Sequence, residues 1–265
     1  MKYIISICNE TTRVLFQMDK LERNYKEVIS YELDSFTGKR SYQLFWRIQR
    51  TNYVLHNLKL LVDPEENNLI GDIGCGPGIV SSIFAQKGYN ILGIDKVKPF
   101  IEFASLYFKK KKITGEFISA DITGDNIVFS SKNLEAIICI DAIEHFKKPV
   151  KAVNNFKNLL GEKGYVILTT PNFGSTLFSF IEMLWDFIGR TPGWHELHVT
   201  RLNLKKLTQL FKNSGFNILK KGTFLFLSPM ISVFSRRIAR FFSYIEAYFL
   251  KKVPIGFMLY LVAKV

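Results

Sequence analysis

At 265 residues the chain can bury a full core, and one α/β domain with additions is the expected count. A hydrophobic share of 48% and an aromatic share of 14% exclude a disordered chain. The net charge of +13 asks for an anionic counterpart: nucleic acid, a membrane surface, or an anionic cofactor or substrate. Part of that charge has a local reason, since Lys109 to Lys112 fall at a predicted helix C-terminus, where cations meet the helix dipole. Cys8, Cys75 and Cys139 lie far apart and form no C-x-x-C pair. That excludes a disulfide framework and a cysteine-based zinc site, and fits a reducing cytoplasm.

Residues 1–62 read as an N-terminal extension followed by cap helices. The apolar run in Met1 to Cys8 is too short for a secretory core, and Asn9-Glu10 ends it. Met18 reads as an alternative beginning. Val14, Leu15, Met18, Leu21, Tyr25, Val28 and Ile29 recur at helical spacing, which predicts a helix from about Thr11 to Leu33, broken at Ser35-Phe-Thr-Gly38. A second helix is expected from Ser41 to Leu61, with Pro64 just beyond it. No window holds about 18 consecutive apolar residues, so no transmembrane helix is expected.

From residue 63 to the end, strands and helices alternate. The strand opening at Asn68-Leu-Ile runs into the turn Gly71-Asp72-Ile73-Gly74-Cys75-Gly76-Pro77-Gly78, followed by a helix near Gly78–Lys87. Asn90-Ile-Leu-Gly-Ile94 is a second strand ending at Asp95, and Pro99–Lys111 the next helix. Glu116-Phe-Ile-Ser-Ala is a third strand, ending at Asp121-Ile122. Leu134 to Ile140 is the fourth, ending at Asp141-Ala-Ile-Glu144-His145, with a helix over Pro149–Leu160 behind it. Gly161 and Gly164 bracket the turn into a fifth strand, Tyr165 to Thr169, which ends at Thr170-Pro-Asn172. Such alternation predicts a parallel sheet with helices on both faces. Residues 173–201 read as a lid insertion: a largely apolar helix from Ser175 to Arg190, a turn at Thr191-Pro-Gly-Trp194, then His195-Glu-Leu-His198. A helix over Asn203–Ser214 capped at Gly215, a strand over Phe216–Phe226, an insertion at 227–254 and a last strand over Gly256–Val265 complete the chain.

A glycine-rich turn between strand and helix lets a ligand approach the backbone closely. A dinucleotide loop is spaced G-x-G-x-x-G; here the spacing is G-x-G-x-G, with Asp72 two residues before Gly74. An acid there opposes a pyrophosphate but suits a ligand carrying an ammonium and a sulfonium. Asp95, at the tip of the second strand and about 20 residues past the glycines, is placed to accept hydrogen bonds from ribose hydroxyls. Asp72-x-Gly74-x-Gly76-x-Gly78 resembles motif I of the class I S-adenosylmethionine-dependent methyltransferases. Asp141-Ala-Ile-Glu144-His145 resembles the D-x-x-E-H segment of the small-molecule branch that includes quinone-biosynthesis O-methyltransferases, and Thr170-Pro-Asn172 is similar to the sequence that follows there. The resemblance spans about Leu69 to Val265.

This resemblance implies a Rossmann-like, doubly wound seven-stranded sheet of order 3-2-1-4-5-7-6 with the last strand antiparallel. It also implies S-adenosylmethionine as cofactor, held by Asp72, Gly74, Gly76, Gly78, Asp95, Asp121, Ile122 and Asp141, with Asp121 beside the adenine amino group. The N-terminal helices would cover the cleft, within reach of the methionine carboxylate through Tyr25, Tyr31, Arg47 and Arg50.

Methyl transfer to a hydroxyl needs alignment and a general base with a pKa near 7. The four histidines are His56, His145, His195 and His198. His198 is the first candidate for the base and His145 the second; a structural histidine is the alternative at either position. His195-Glu-Leu-His198 is not H-E-x-x-H, because Val199 stands where the second histidine should be. Glu144-His145 resembles an acid-histidine pair found beside a divalent ion in some quinone methyltransferases, but one pair makes no metal site, and a metal is left unassigned. The expected activity is methyl transfer to a small or lipid-like acceptor, at oxygen. An RNA methyltransferase and a non-catalytic cofactor-binding subunit are the alternatives. The place after strand four holds no N/D-P-P-Y/F, and Cys139 lies inside the strand, both of which weigh against base methylation.

Within the 227–254 insertion, Ser228-Pro229 breaks the sixth strand. From Val233 to Leu250 the residues separate at about 100° per residue. Phe234, Ile238, Phe241, Phe242, Ile245, Tyr248 and Phe249 fall on one side; Arg236, Arg237, Arg240, Ser243 and Glu246 fall on the other. A basic face opposite an aromatic face suits an interfacial helix, so a peripheral contact with the inner face of a membrane is expected. Packing of this helix on the sheet, or a dimer interface, is the alternative.

Overall fold

The computed structural model describes residues 23–37, 41–66, 68–125, 133–176, 178, 198–250 and 253–265. In chain order these are α1 (Arg23–Thr37), α2 (Ser41–Lys59), β1 (Leu69–Ile73), α3 (Ile79–Ala85), β2 (Asn90–Asp95), α4 (Lys98–Lys111), β3 (Glu116–Ser119), β4 (Leu134–Ile140), α5 (Pro149–Leu159), β5 (Leu160–Pro171), α6 (Leu204–Asn213), β6 (Asn217–Phe224), α7 (Ser228–Phe234), α8 (Arg236–Phe249) and β7 (Met258–Lys264). Short 3-10 turns sit at Pro64–Glu66 and Ile143–His145.

The strands form a seven-stranded sheet in the order β3-β2-β1-β4-β5-β7-β6. The pairs β1–β2, β1–β4, β2–β3 and β4–β5 are parallel, whereas β7 runs antiparallel to both β5 and β6. The doubly wound order expected from the motifs is the order found.

Apolar runs build the central strands because both sheet faces are covered. Period-two alternation then divides each strand between two cores. Ile137, Cys139, Val166, Leu168, Leu261 and Ala263 pack with Phe156 of α5 and Phe211 of α6. Their neighbours Ala136, Ile138, Ile167 and Val262 pack on the other face with Val54 and Leu58 of α2 and Phe84 of α3. A third cluster, with Ile29 and Leu33 of α1 against Phe103 and Tyr107 of α4, fixes the first helix to the β2–β3 edge.

Element boundaries depart from expectation in a few places. α1 continues through Phe36, which is 3% exposed and belongs to that third cluster, so burial carries the helix past Ser35. Residues 11–22, the helix expected from Ser175 to Arg190 apart from its first residues, and His195 lie outside the described residues. β5 begins at Leu160, so Gly161 and Gly164 sit in an irregular strand start with a register shift opposite Leu134 and Ala136. The single helix expected over Val233–Leu250 is two helices. Ser235 is extended, with φ −153° and ψ 113°, and its hydroxyl accepts from the Ile238 amide, which starts α8 anew. No helix among the described residues is long and apolar enough to cross a membrane.

Candidate active site

The strand order reverses between β1 and β4, and a crevice opens at the carboxyl ends there, where open α/β sheets bind ligands. It is a cavity of about 360 Å³ whose lining includes Gly74, Asp95, Asp121, Ile122, Asp141 and His145.

The glycine loop is shaped by positive backbone angles at Gly74, Gly76 and Gly78. At Gly74, with φ +76°, a Cβ would stand 2.3 Å from the Ala142 Cβ, so the close passage of β1 past the end of β4 requires glycine. At Gly76, with φ +52°, a Cβ would meet nothing within 4 Å. That opening is what a ligand approaching the backbone would need.

The acids divide by role. Asp95 accepts from the Gly76 amide at 2.9 Å and the Val97 amide at 2.9 Å, which braces the loop from the tip of β2. Burial raises its pKa, against the pull of those two amides and of Lys96 and His145. Asp121 accepts from the backbone and hydroxyl of Thr123 at 2.8 and 2.7 Å. Burial works upward there too, but the Thr123 bonds, with Lys96 and Lys148 nearby, hold the carboxyl below its ordinary value. Asn155 of α5 donates to the carbonyls of Ile122 and Gly124, setting the loop after β3.

Asp72 is the most enclosed of the four acids. It lies beneath the loop, 3% exposed, accepts from the Ser81 hydroxyl of α3 at 2.6 Å, and is absent from the cavity lining. Burial lifts its pKa to about 7, against the Ser81 bond and with the charge of Asp95 adding to the rise.

Asp141 caps β4 in a left-handed conformation, φ +49°, a costly backbone state outside glycine. Its carboxylate forms an ion pair with Arg50 of α2, and its amide donates to the Thr169 carbonyl at 3.0 Å. Burial, then the charge of Arg47, pulls the Arg50 guanidinium down to about 9, still cationic at neutral pH. Arg47 pairs with Glu32 of α1. The two arginines thus meet carboxylates of the chain itself, at the place where the methionine end of the cofactor was expected. Tyr25 packs edge-on against Phe100, with ring centroids 5.9 Å apart.

Beyond Asp141, the turn Ile143–His145 presents a compact polar group. Glu144 is 1% exposed and accepts from the Thr170 hydroxyl at 2.8 Å, while its other oxygen has no hydrogen-bond partner. Burial raises its pKa, opposed first by the charge of His145. The His145 and His198 rings stack at 5.1 Å, and Phe173 meets His198 edge-on at 5.4 Å. The Thr200 amide donates to the Glu144 carbonyl at 2.9 Å and its hydroxyl to the Phe146 carbonyl at 2.6 Å, which pins His198 over the turn. One ligand atom from each of Glu144, His145 and His198 lies within 4.8 Å of the others, so these three side chains could hold a divalent cation. The sequence brought Glu144 and His145 together by adjacency; the contact with His198 is tertiary. Thr170 was read only as part of Thr170-Pro-Asn172, and Thr200 carried no signal beyond lying two residues past His198.

Comparisons with known proteins agree with this geometry. Residues 45–221 match the family described as "Methyltransferase domain". Ubiquinone biosynthesis O-methyltransferase of Rickettsia typhi is 26% identical over 145 residues, which cover 55% of this chain and 56% of that protein. Its Rickettsia akari counterpart is 28% identical over 158 residues, covering 58% of this chain and 61% of that protein. Two solved structures share the fold. A magnesium protoporphyrin IX methyltransferase from Synechocystis with bound SAH superposes with a TM-score of 0.55 at 15% identity, covering 84% of this chain and 86% of that one. A plantazolicin methyltransferase does so with a TM-score of 0.57 at 18% identity, covering 99% and 98%. With the strand order in agreement, this chain belongs to the methyltransferase-domain family, the class I fold whose cofactor is S-adenosylmethionine.

Proposed function

We propose that this protein transfers the methyl group of S-adenosylmethionine to an oxygen of a small, lipid-like acceptor. The cofactor would lie along Gly74, Gly76 and Gly78, with its ribose at Asp95 and its adenine beside Asp121 and Ile122; Asp72 and Asp141 would act through the loop and the Arg50 pair. The observation that carries the oxygen chemistry is the stacked His145–His198 pair beside Glu144, with His145 in the lining of the crevice. When bound, the cofactor supplies a sulfonium leaving group. The chain's part is to align the acceptor, exclude water and take its proton. We assign that proton to His198, with His145 beside it.

The name of the rickettsial relatives, ubiquinone biosynthesis O-methyltransferases, supports an apolar hydroxyl acceptor. So does the aromatic surround: Phe173 touches His198 and Phe178, and Phe178 touches Phe257. A second reading rests on the three clustered donors. A divalent cation on Glu144, His145 and His198 would lower the acceptor's pKa in place of an imidazole base. We place the protein in the cytoplasm, working at the inner face of a membrane where a lipid-like acceptor resides.

The test is methyl transfer from labelled cofactor into separated lipid, RNA and small-molecule extracts. Label is expected in the lipid fraction, and His198→Ala should lower turnover by about 10²–10⁴ with cofactor affinity nearly unchanged. Label in RNA would refute the acceptor class. Full activity in His198→Ala would remove that residue as the base. Loss on chelation with recovery on adding a divalent metal would favour the cation reading.

A further inference from the structure

The helix α8 is attached to the protein by its polar side. The residues it turns inward are Ala239, Ser243 and Glu246, spaced four and three apart along one stripe. Ala239 is fully buried in a cluster with Phe45, Phe178, Leu225, Phe257 and Met258. The Ser243 hydroxyl accepts from the Gln49 amide of α2. Glu246, 6% exposed, accepts from the amides of Phe226, Leu227 and Ser228 at 3.1, 2.6 and 2.7 Å and from the Ser228 hydroxyl at 2.6 Å. Those are the donors that the start of α7 leaves outside its own ladder, so one carboxylate locks the two helices together.

The aromatic side therefore faces outward. Phe234 is 91% exposed, Phe241 65% and Phe249 70%, and Ile238, Phe242 and Tyr248 are exposed with them. A contiguous apolar ridge of this kind marks an interaction surface. Its chemistry selects the partner. Arg236, Arg237 and Arg240 of the same helix are all exposed, and Glu246, the only acid in α7 and α8, is buried by its own hydrogen bonds. The exposed surface of the hairpin thus carries three positive charges and no negative one. A second copy of this chain would bring arginine against arginine, whereas anionic lipid headgroups neutralise them while the rings enter the acyl boundary.

We propose that the α7–α8 hairpin is a membrane-docking element that inserts the Phe234–Phe249 ridge into an anionic lipid surface. This rests on the reading above that the protein works at a membrane. It adds which surface meets the lipid and what headgroup charge it selects. The docked hairpin also lies near the acceptor end of the site, because Ala239 shares its cluster with Phe178, Phe178 touches Phe173, and Phe173 touches His198.

The experiment is flotation of the full chain with vesicles of phosphatidylcholine alone and of equal parts phosphatidylcholine and phosphatidylglycerol. Two variants accompany it, Phe241→Ser/Phe242→Ser/Phe249→Ser and Arg236→Ala/Arg237→Ala/Arg240→Ala. Circular dichroism and size-exclusion chromatography monitor the fold and the oligomeric state. Wild type should float with the anionic vesicles only. The aromatic variant should stay in solution, and each arginine removed should weaken partitioning roughly fivefold. If both variants float as wild type does, the membrane reading survives and the hairpin assignment is overturned. If wild type floats with neither vesicle at low salt, both fall. A wild-type dimer that the aromatic variant turns into a monomer, without vesicle binding, would assign the ridge to self-association and overturn the proposal. The same holds if wild type fails to float and the aromatic variant melts lower as a monomer, which would assign the ridge to contacts within the chain.

Discussion

The buried Asp72 makes a measurable demand on stability. Its folded pKa is raised to about 7 from an ordinary 3.8 because burial penalises the charged form. The folded state therefore binds more protons than the unfolded one between those values, and stability falls as pH rises through that window. About three pKa units correspond to about 4 kcal/mol, lost between roughly pH 4 and 7 and constant above. Asp72→Asn removes the titration, while its amide oxygen can still accept from Ser81. Asp95 and Glu144 are shifted in the same direction, so the quantity read is the difference between wild type and variant. Thermal melts from pH 5 to 8 cover about two of those units, so the variant should gain on wild type by roughly 5–10 °C across the range, at about 2–4 °C per kcal/mol for a chain of this size. Parallel melting curves over that range would refute a buried, proton-binding Asp72.

Two further expectations follow from the site. Gly74→Ala should lower unfolding stability by about 2–4 kcal/mol in denaturant titrations, since the left-handed angle and the clash with Ala142 act together. Gly76→Ala should cost the fold only about 1 kcal/mol, because its Cβ meets open space, yet should sharply weaken cofactor binding where that space is used.

The parts of this fold that could be read from sequence are those set by local pattern. Two of the strand-tip acids end apolar runs: Asp95 closes Ile-Leu-Gly-Ile, and Asp141 closes Ala-Ile-Ile-Cys-Ile. Alternation of such runs with helical periods dictated the parallel sheet. What could not be read depends on contacts between distant elements. Arg50 meets Asp141 only because α2 docks across the strand ends, and Asp72 is occupied by Ser81 from the far side of the glycine loop. In α8 the periodicity gave the phase of the aromatic face but not its orientation. Burial of that face was the simple alternative; among the described residues the face is exposed, because Glu246 finds its donors at residues 226–228 and turns the rings outward. Ser235 could break the helix because one hydroxyl suffices to cap the next.

S-adenosylmethionine is expected to occupy the crevice at the tips of β1 to β4, with Asp95 on its ribose. Calorimetric titration of the cofactor into wild type and Asp95→Ala tests it most directly, with melts to verify the variant's fold. Loss of charge-assisted hydrogen bonds worth about 1.5–3 kcal/mol should weaken binding roughly ten- to hundredfold. Equal affinity in the two proteins would remove Asp95 from the ribose site, and tight binding of NADH with none of S-adenosylmethionine would exclude the cofactor itself.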